Sequence, residues 1–148
     1  MGRVPRTSLP DGYFHVFSRG VAGGPIFLDN ADRSFFLTTI TLCEQRHRWI
    51  CYAFTLLSTH YHLVLETSLA DLSAGLQRLN GRYAHRFNKR HGRFGHVFAE
   101  RFSAKVIESE QYLYDVCAYV VLNPVSAGLC DRVEDWPWSY NRFEASPI

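Results

Sequence analysis

Residues 57–66, Leu-Ser-Thr-His-Tyr-His-Leu-Val-Leu-Glu, constrain the fold more than any other stretch of this chain. Tyr61, Leu63 and Leu65 alternate with His60, His62 and Val64, and a period of two is that of a β-strand. Successive side chains of a strand point to opposite faces. Such a strand puts two imidazoles on one face and an apolar row on the other. Two imidazoles on one face can chelate one metal ion. With seven histidines in 148 residues, a His-x-His also arises by chance, so a structural pair is the competing reading.

The length suits a single domain spanning 1–148, and a chain of this size buries roughly 68–70% of its unfolded surface. Apolar residues at 47% and aromatics at 15% exclude a disordered chain. No apolar run approaches the ~20 residues of a membrane span. Residues 1–12 lack an apolar core and do not read as a secretory signal. Cys43, Cys51, Cys117 and Cys130 show no Cys-x-x-Cys spacing. They read as reduced thiols of a cytoplasmic protein, not as a zinc ribbon or a disulfide framework.

The net charge of +2 is unevenly spread. Between Leu76 and Lys105 lie Arg78, Arg82, Arg86, Lys89, Arg90, Arg93, Arg101 and Lys105 against one acid, Glu100. That segment carries +7 and the remainder −5, an asymmetry that suggests a polyanion-binding face rather than an ordinary solvated helix surface.

The remaining elements follow from period and punctuation. Residues 13–19 read as a first strand, with Gly20, Gly23, Gly24 and Pro25 in the turn after it. Asp29 or Asn30 caps a helix from 31 to about 46. Residues 49–57 form a second, nearly continuous apolar strand. Ser68 or Asp71 opens a second helix, whose Leu72, Leu76, Leu79, Tyr83 and Phe87 make a core stripe. Arg78, Arg82, Arg86 and Arg90 make another stripe on it, a row of guanidiniums suited to phosphates. Gly75 and Gly81 interrupt it, each at a cost of about 1 kcal/mol relative to Ala.

Residues 104–107 form a fourth strand, and Ser109 caps a third helix from 110 to about 123. Pro124 biases Asn123 away from helical geometry and sets the expected end. Leu113, Val116, Cys117 and Val120 form its apolar stripe; Tyr112, Asp115, Tyr119 and Asn123 form a polar one beside it. The aromatic tail, residues 136–140, is expected to pack against the body.

The order β-α-β-β-α-β-α matches, in its first six elements, the split βαβ, ferredoxin-like α+β plan. In that plan the first and third strands are central. Two helices cover one face of an antiparallel sheet, and the extra C-terminal helix, carrying Tyr119, is available to cover the histidine face.

A metal near a tyrosine and a basic surface suits cleavage of a nucleic-acid strand by a phenolate. A phenol, with a reference pKa near 10, is a poor nucleophile until activated, and a divalent ion can polarise the scissile phosphate. Asn123 lies four residues after Tyr119, so both can face one site. By spacing alone, Tyr119 is one of eight tyrosines.

A likeness to known proteins rests on several ordered motifs. They are His60-Tyr61-His62; the stretch Tyr119-Val-Val-Leu-Asn123-Pro-Val-Ser-Ala-Gly-Leu129; Ser18-Arg19-Gly20; Leu79-Asn-Gly-Arg-Tyr83; Gly95-His-Val-Phe98 with Arg101-Phe102; and Trp136-Pro-Trp-Ser139. Together they resemble the single-tyrosine HUH transposases of bacterial insertion sequences and, more closely, the REP-associated tyrosine transposases. The resemblance implies a ferredoxin-like domain that cuts and rejoins single-stranded DNA beside a hairpin. It implies a 5′-phosphotyrosine at Tyr119, with Mg²⁺ or Mn²⁺ held by His60, His62 and Asn123. Arg19 joins the basic residues above as a DNA-binding candidate. His15 and Glu66 are read as structural.

The expected partner is single-stranded or hairpin DNA, at the nucleoid in the cytoplasm. Monomer and homodimer both stay open. The alternatives are a non-catalytic nucleic-acid-binding module of the same fold and a metal-dependent hydrolase of small phosphoesters.

Overall fold

The computed structural model describes residues 11–100 and 102–144; Arg101 and all but the end of the 1–12 segment lie outside the described residues. In chain order the elements are β1 (Gly12–Arg19), α1 (Asn30–Arg46), β2 (Ile50–Leu56), β3 (His60–Thr67), α2 (Leu69–His91), β4 (Ser103–Ile107), α3 (Glu110–Ser126) and β5 (Ser139–Asn141). Every strand pairing is antiparallel, and the sheet order is β4-β1-β3-β2-β5. The first four strands have the ferredoxin-like order, with β1 and β3 central.

Local chemistry starts each helix where a side chain can take up its free amides. Asp29 accepts from Asp32 N–H at 3.0 Å, Ser68 from Asp71 N–H at 3.1 Å, and Ser109 from Tyr112 N–H at 3.1 Å. Of the paired candidates, Asp29 and Ser68 are therefore the caps. At the other end of α2, Gly92 takes φ of 62° and closes the helix in the left-handed region.

The tertiary structure departs from two local expectations. Helix α3 runs through Pro124 to Ser126 instead of ending at Asn123. A proline inside a helix leaves the carbonyl four residues back without its donor. Here Asn123 Nδ2 turns back onto the carbonyls of Tyr119 (3.1 Å) and Val120 (3.4 Å), so the Val120 oxygen is not orphaned. The aromatic tail does more than pack. Leu56 N–H donates to Trp138 O at 2.9 Å and Trp136 Nε1 donates to Leu56 O at 3.2 Å, which seats β5 along the edge of β2.

The sheet separates two cores. On one side Tyr61, Leu63 and Leu65 of β3 bury against Phe36, Ile40 and Cys43 of α1 and Leu72, Leu76, Leu79 and Tyr83 of α2. On the other, Ala53, Val64 and Ile107 bury against Leu113, Val116, Cys117 and Val120 of α3. Helices α1 and α2 are locked at one end by Asp32. This carboxylate, 3% exposed, accepts from Arg90 Nη1 (2.7 Å), His91 Nε2 (2.9 Å) and Leu28 N–H (2.9 Å). A buried carboxylate needs that many donors.

The two glycines inside α2 do different things. A Cβ on Gly75 would lie 2.6 Å from Cε2 and 2.8 Å from Nε1 of Trp49, whereas one on Gly81 would meet nothing within 4 Å. Gly75→Ala is therefore expected to lose about 1–3 kcal/mol through overpacking. Gly81→Ala is expected to gain up to about 1 kcal/mol from helix propensity. Urea unfolding of the two variants measures both; equal effects would refute the Trp49 contact as the reason for Gly75.

Candidate active site

Alternation along β3 carries across to its neighbours, because cross-strand partners share a face. Register sets Arg19 against His60, Phe17 against His62 and His15 against Val64. It also sets Lys105 against His15 and Thr55 against His62. One sheet face thus gathers three histidines, Arg19, Lys105 and Thr55, on the side where α3 packs.

Hydrogen bonds fix the rings of both strand histidines through Nδ1. His62 Nδ1 lies 2.9 Å from His15 Nε2, and His60 Nδ1 lies 3.1 Å from Thr59 Oγ1. Among the described residues no hydrogen bond reaches Nε2 of either ring. If His62 Nδ1–H donates to His15, and His60 Nδ1–H donates to Thr59, each Nε2 keeps its lone pair. That is the arrangement in which histidines serve as metal ligands, with the second nitrogen donating to an orienting acceptor. The rings of His60 and His62 lie 5.1 Å apart between centroids.

The site holds these histidines neutral. His62, only 7% exposed, is pushed down to about 3, first by burial and then by His15, His60 and Arg19. Burial followed by Arg19 lowers His60, and burial followed by Lys105 lowers His15. Neutral imidazole is the metal-binding form.

Helix α3 brings Tyr119 to the same face. Its ring meets His15 edge-on at 6.2 Å between centroids, and the residue is 56% exposed, so its hydroxyl is open to a substrate. Tyr112, two turns earlier, is also exposed but makes no ring contact with the histidines. Asn123 has its Nδ2 committed to its own helix, which leaves Oδ1 as its free acceptor. It makes no hydrogen bond to either strand histidine. Glu66 is occupied elsewhere, accepting from Tyr52 Oη at 2.7 Å.

Among the described residues no group of three or more His, Cys, Asp or Glu is placed to hold a metal ion. Two neutral imidazoles with open positions around them, and an amide oxygen on the neighbouring helix, still fit a divalent ion that takes oxygen from its substrate. His15 is in hydrogen-bond contact with His62 and, among the described residues, forms no three-residue metal-holding cluster with the pair. The sequence reads it as structural, and the structure adds that it touches both His62 and Tyr119. The usable signal was its place in the alternation Tyr13, His15, Phe17, Arg19 beside the central histidine strand.

The basic stripe of α2 lies elsewhere. That helix packs on the opposite sheet face. Arg78 donates from Nε to His47 at 3.1 Å, Arg86 lies over the Phe35 ring at 4.5 Å, and Arg90 pairs with Asp29 and Asp32. Arg82, Lys89 and Arg93 are exposed. Arg93 sits in the loop after α2, which returns to the histidine end of the sheet. There Ala99 N–H donates to Arg19 O, and Gly20 bridges to Phe98. No described helix is long and apolar enough to cross a membrane.

No protein-family model matches the chain, and neither does any curated protein. Comparison with solved structures does give matches. One is a REP-associated tyrosine transposase bound to a REP hairpin, with a TM-score of 0.73 and 18% identity over 94% of this chain and 82% of that one. Another is a protein of Deinococcus radiodurans R1, assigned provisionally as a transposase. Its TM-score is 0.54, with 12% identity over 80% of this chain and 95% of that one. At these identities the likeness is one of fold: this chain has the fold of those structures.

The depressed histidines set a pH window. The unfolded chain binds a proton at His62 below about 6.5, while the folded site refuses it until about 3. Between those values the unfolded state carries more protons, so stability falls as pH falls from 6.5 toward 3. Thermal melts of His62→Gln should show a shallower decline over that window than the parent. Parallel declines would mean that His62 is not held neutral by the fold.

Proposed function

We propose that this chain is a single-tyrosine HUH transposase of the REP-associated type, which cuts and rejoins single-stranded DNA beside a hairpin. The observation that carries the reading is the meeting, on one sheet face, of two neutral histidines with free Nε2 atoms and an exposed tyrosine from α3. Support comes from the ordered motifs of the sequence and from the shared fold with a transposase seen on hairpin DNA.

In this reading Tyr119 Oη attacks the scissile phosphorus and gives up its proton. The Oη–P bond forms, the P–O3′ bond breaks, and the departing oxygen takes a proton to leave a free 3′-OH. The 5′ end stays on Tyr119, and attack by another 3′-OH reverses the step and rejoins the strand. His60 and His62 would hold Mg²⁺ or Mn²⁺ through Nε2, with Asn123 Oδ1 as third ligand, and the ion would supply Lewis-acid stabilisation of the phosphate. His15 keeps the His62 proton on Nδ1, and with it the free lone pair on Nε2.

Arg19 and Lys105, on the histidine face, would take the flanking phosphates. Arg93, in the loop that returns to the histidine end, would extend that track past the end of the sheet, whereas Arg82 and Lys89, exposed on α2, would meet DNA only where it wraps onto the opposite side. Arg78, Arg86 and Arg90 would add contacts only where DNA competes with their present partners. Arg101, outside the described residues, stays a DNA-binding candidate by sequence alone. A DNA substrate would put the protein at the nucleoid, in the cytoplasm.

Tyr119→Phe keeps the ring and removes the attacking atom. It should bind hairpin DNA with near-parent affinity and give no covalent band on a denaturing gel in Mn²⁺, where the parent gives one. An adduct persisting in the Phe variant, or a nucleotide remnant mapped to Tyr112, would overturn the assignment. Binding by the parent with no adduct would favour the non-catalytic module.

The tautomer role of His15 is separable from chemistry. Calorimetric titration with Mn²⁺ alone should show His15→Phe weakened by roughly 10- to 100-fold. His15→Gln, which can still accept from His62 Nδ1–H, should recover much of that loss. Equal affinity in all three proteins would remove His15 from the site.

A further inference from the structure

We infer that the loop after α2 carries a binding pocket for one unpaired nucleobase, with Phe94 as its stacking surface. The inference rests on the reading of this chain as a single-strand DNA enzyme. Phe94 is 97% exposed, which for a phenyl ring has no rationale in the packing of this domain. The loop holds it there. Arg93 N–H and Asn88 Nδ2 bond at 2.9 Å to the Asn88 and Gly95 carbonyls respectively. Gly92 and Gly95 turn the chain at φ of 62° and 85°, angles that side-chain-bearing residues rarely adopt.

Behind the ring lies a cavity of about 150 Å³, whose lining includes Val21, Pro25, Phe87, Arg93 and His96. A cavity of about that size accepts a benzene-sized group, so one pyrimidine ring is a fair match. Its walls combine the apolar and aromatic Val21, Pro25, Phe87 and Val97 with the polar Asn88, Arg93 and His96, no acidic residue lines it, and the Arg93 guanidinium lies 5.5 Å from the Phe87 ring centre. An aromatic surface beside a cation is what an unpaired nucleotide needs, the ring for its base and the guanidinium for its phosphate. The pocket also stands at the right end of the molecule. Val21 N–H donates to Val97 O at 2.9 Å, and Val21 is two residues from Arg19, which pairs with His60. The pocket, lined by Val21 and Val97, is thus tied to the Arg19 end of the histidine face.

The test is equilibrium binding of the full chain, in EDTA, to a blunt DNA hairpin and to the same hairpin with a single-stranded flank. Phe94→Ala should weaken binding to the flanked hairpin by roughly 5- to 100-fold and leave the blunt hairpin unchanged. Phe94→Trp should restore the parent affinity. An abasic nucleotide at one flank position should cost the parent a similar factor and cost Phe94→Ala nothing further, which is the coupling expected of a direct contact. No loss in Phe94→Ala, an equal loss on both DNAs, or no abasic position that couples to Phe94 would each overturn the pocket. Such a result would leave Phe94 as a contact for something other than a base. The readout needs no cleavage, so a parent that binds and shows the coupling but forms no adduct sinks the transposase reading alone. A parent that cleaves normally, with Phe94→Ala binding normally, sinks the pocket alone.

Discussion

The antiparallel register between β1 and β3 is the constraint on which the rest of this structure depends. The two strands pair over their whole lengths, from Gly12 opposite Thr67 to Arg19 opposite His60. A slip of one residue would send every β1 side chain to the wrong face. Phe14 and Val16 would leave the core of α1 and α2, and His15 would leave the histidines. The register is strongly specified because the face toward α1 and α2 is buried in both strands and Val64 buries the middle of β3 on the other. Val16, Leu63, Val64 and Leu65 are all fully enclosed, so no neighbouring register keeps apolar surface out of water.

That pairing divides labour between the two sides of the sheet. The side facing α1 and α2 is a packed core with few polar groups: Tyr61 Oη donates to Asn80 Oδ1 at 2.7 Å, Trp49 Nε1 donates to Asp71 O at 3.1 Å, and the Arg33 guanidinium lies over the Phe27 ring at 5.4 Å. The side facing α3 is only partly filled. Helix α3 covers Val64, Ala53 and Ile107 and stops short of shielding everything. Histidines and cations stand in the remainder. The functional face is the part of the sheet that the third helix leaves incompletely covered, so burial and access coexist there.

Electrostatics reinforce the arrangement. Bringing Arg19 and Lys105 beside three imidazoles costs nothing while the imidazoles are neutral, and the same two cations help to keep them neutral. A positive face with neutral ligands is a poor place for a proton and a good one for an anion. The α2 stripe shows the contrast. Its arginines occupy an opposite face, and Arg90 is bound to two carboxylates as part of the lock between helices. A row of like charges in sequence is not one surface when its members find different partners.

Much of this was legible in the sequence, because much of it is local. Period two in residues 60–65 put His60 and His62 on one face; period 3.6 in α2 gave its core stripe; Ser68 and Ser109 marked helix starts through their own side chains. The ferredoxin-like plan followed from element order, since short connections leave few ways to close such a sheet. What escaped was non-local. His15 joins His62 across 47 residues of chain, and β5 joins β2 through contacts of Trp136 and Trp138 that no periodicity announces. The continuation of α3 past Pro124 depended on a carbonyl acceptor and the rotamer of Asn123. Sequence by itself determined which faces the side chains take within each element. Only the tertiary structure decided which faces meet, because that choice is made by cross-strand pairing and by the burial that no single element can complete alone.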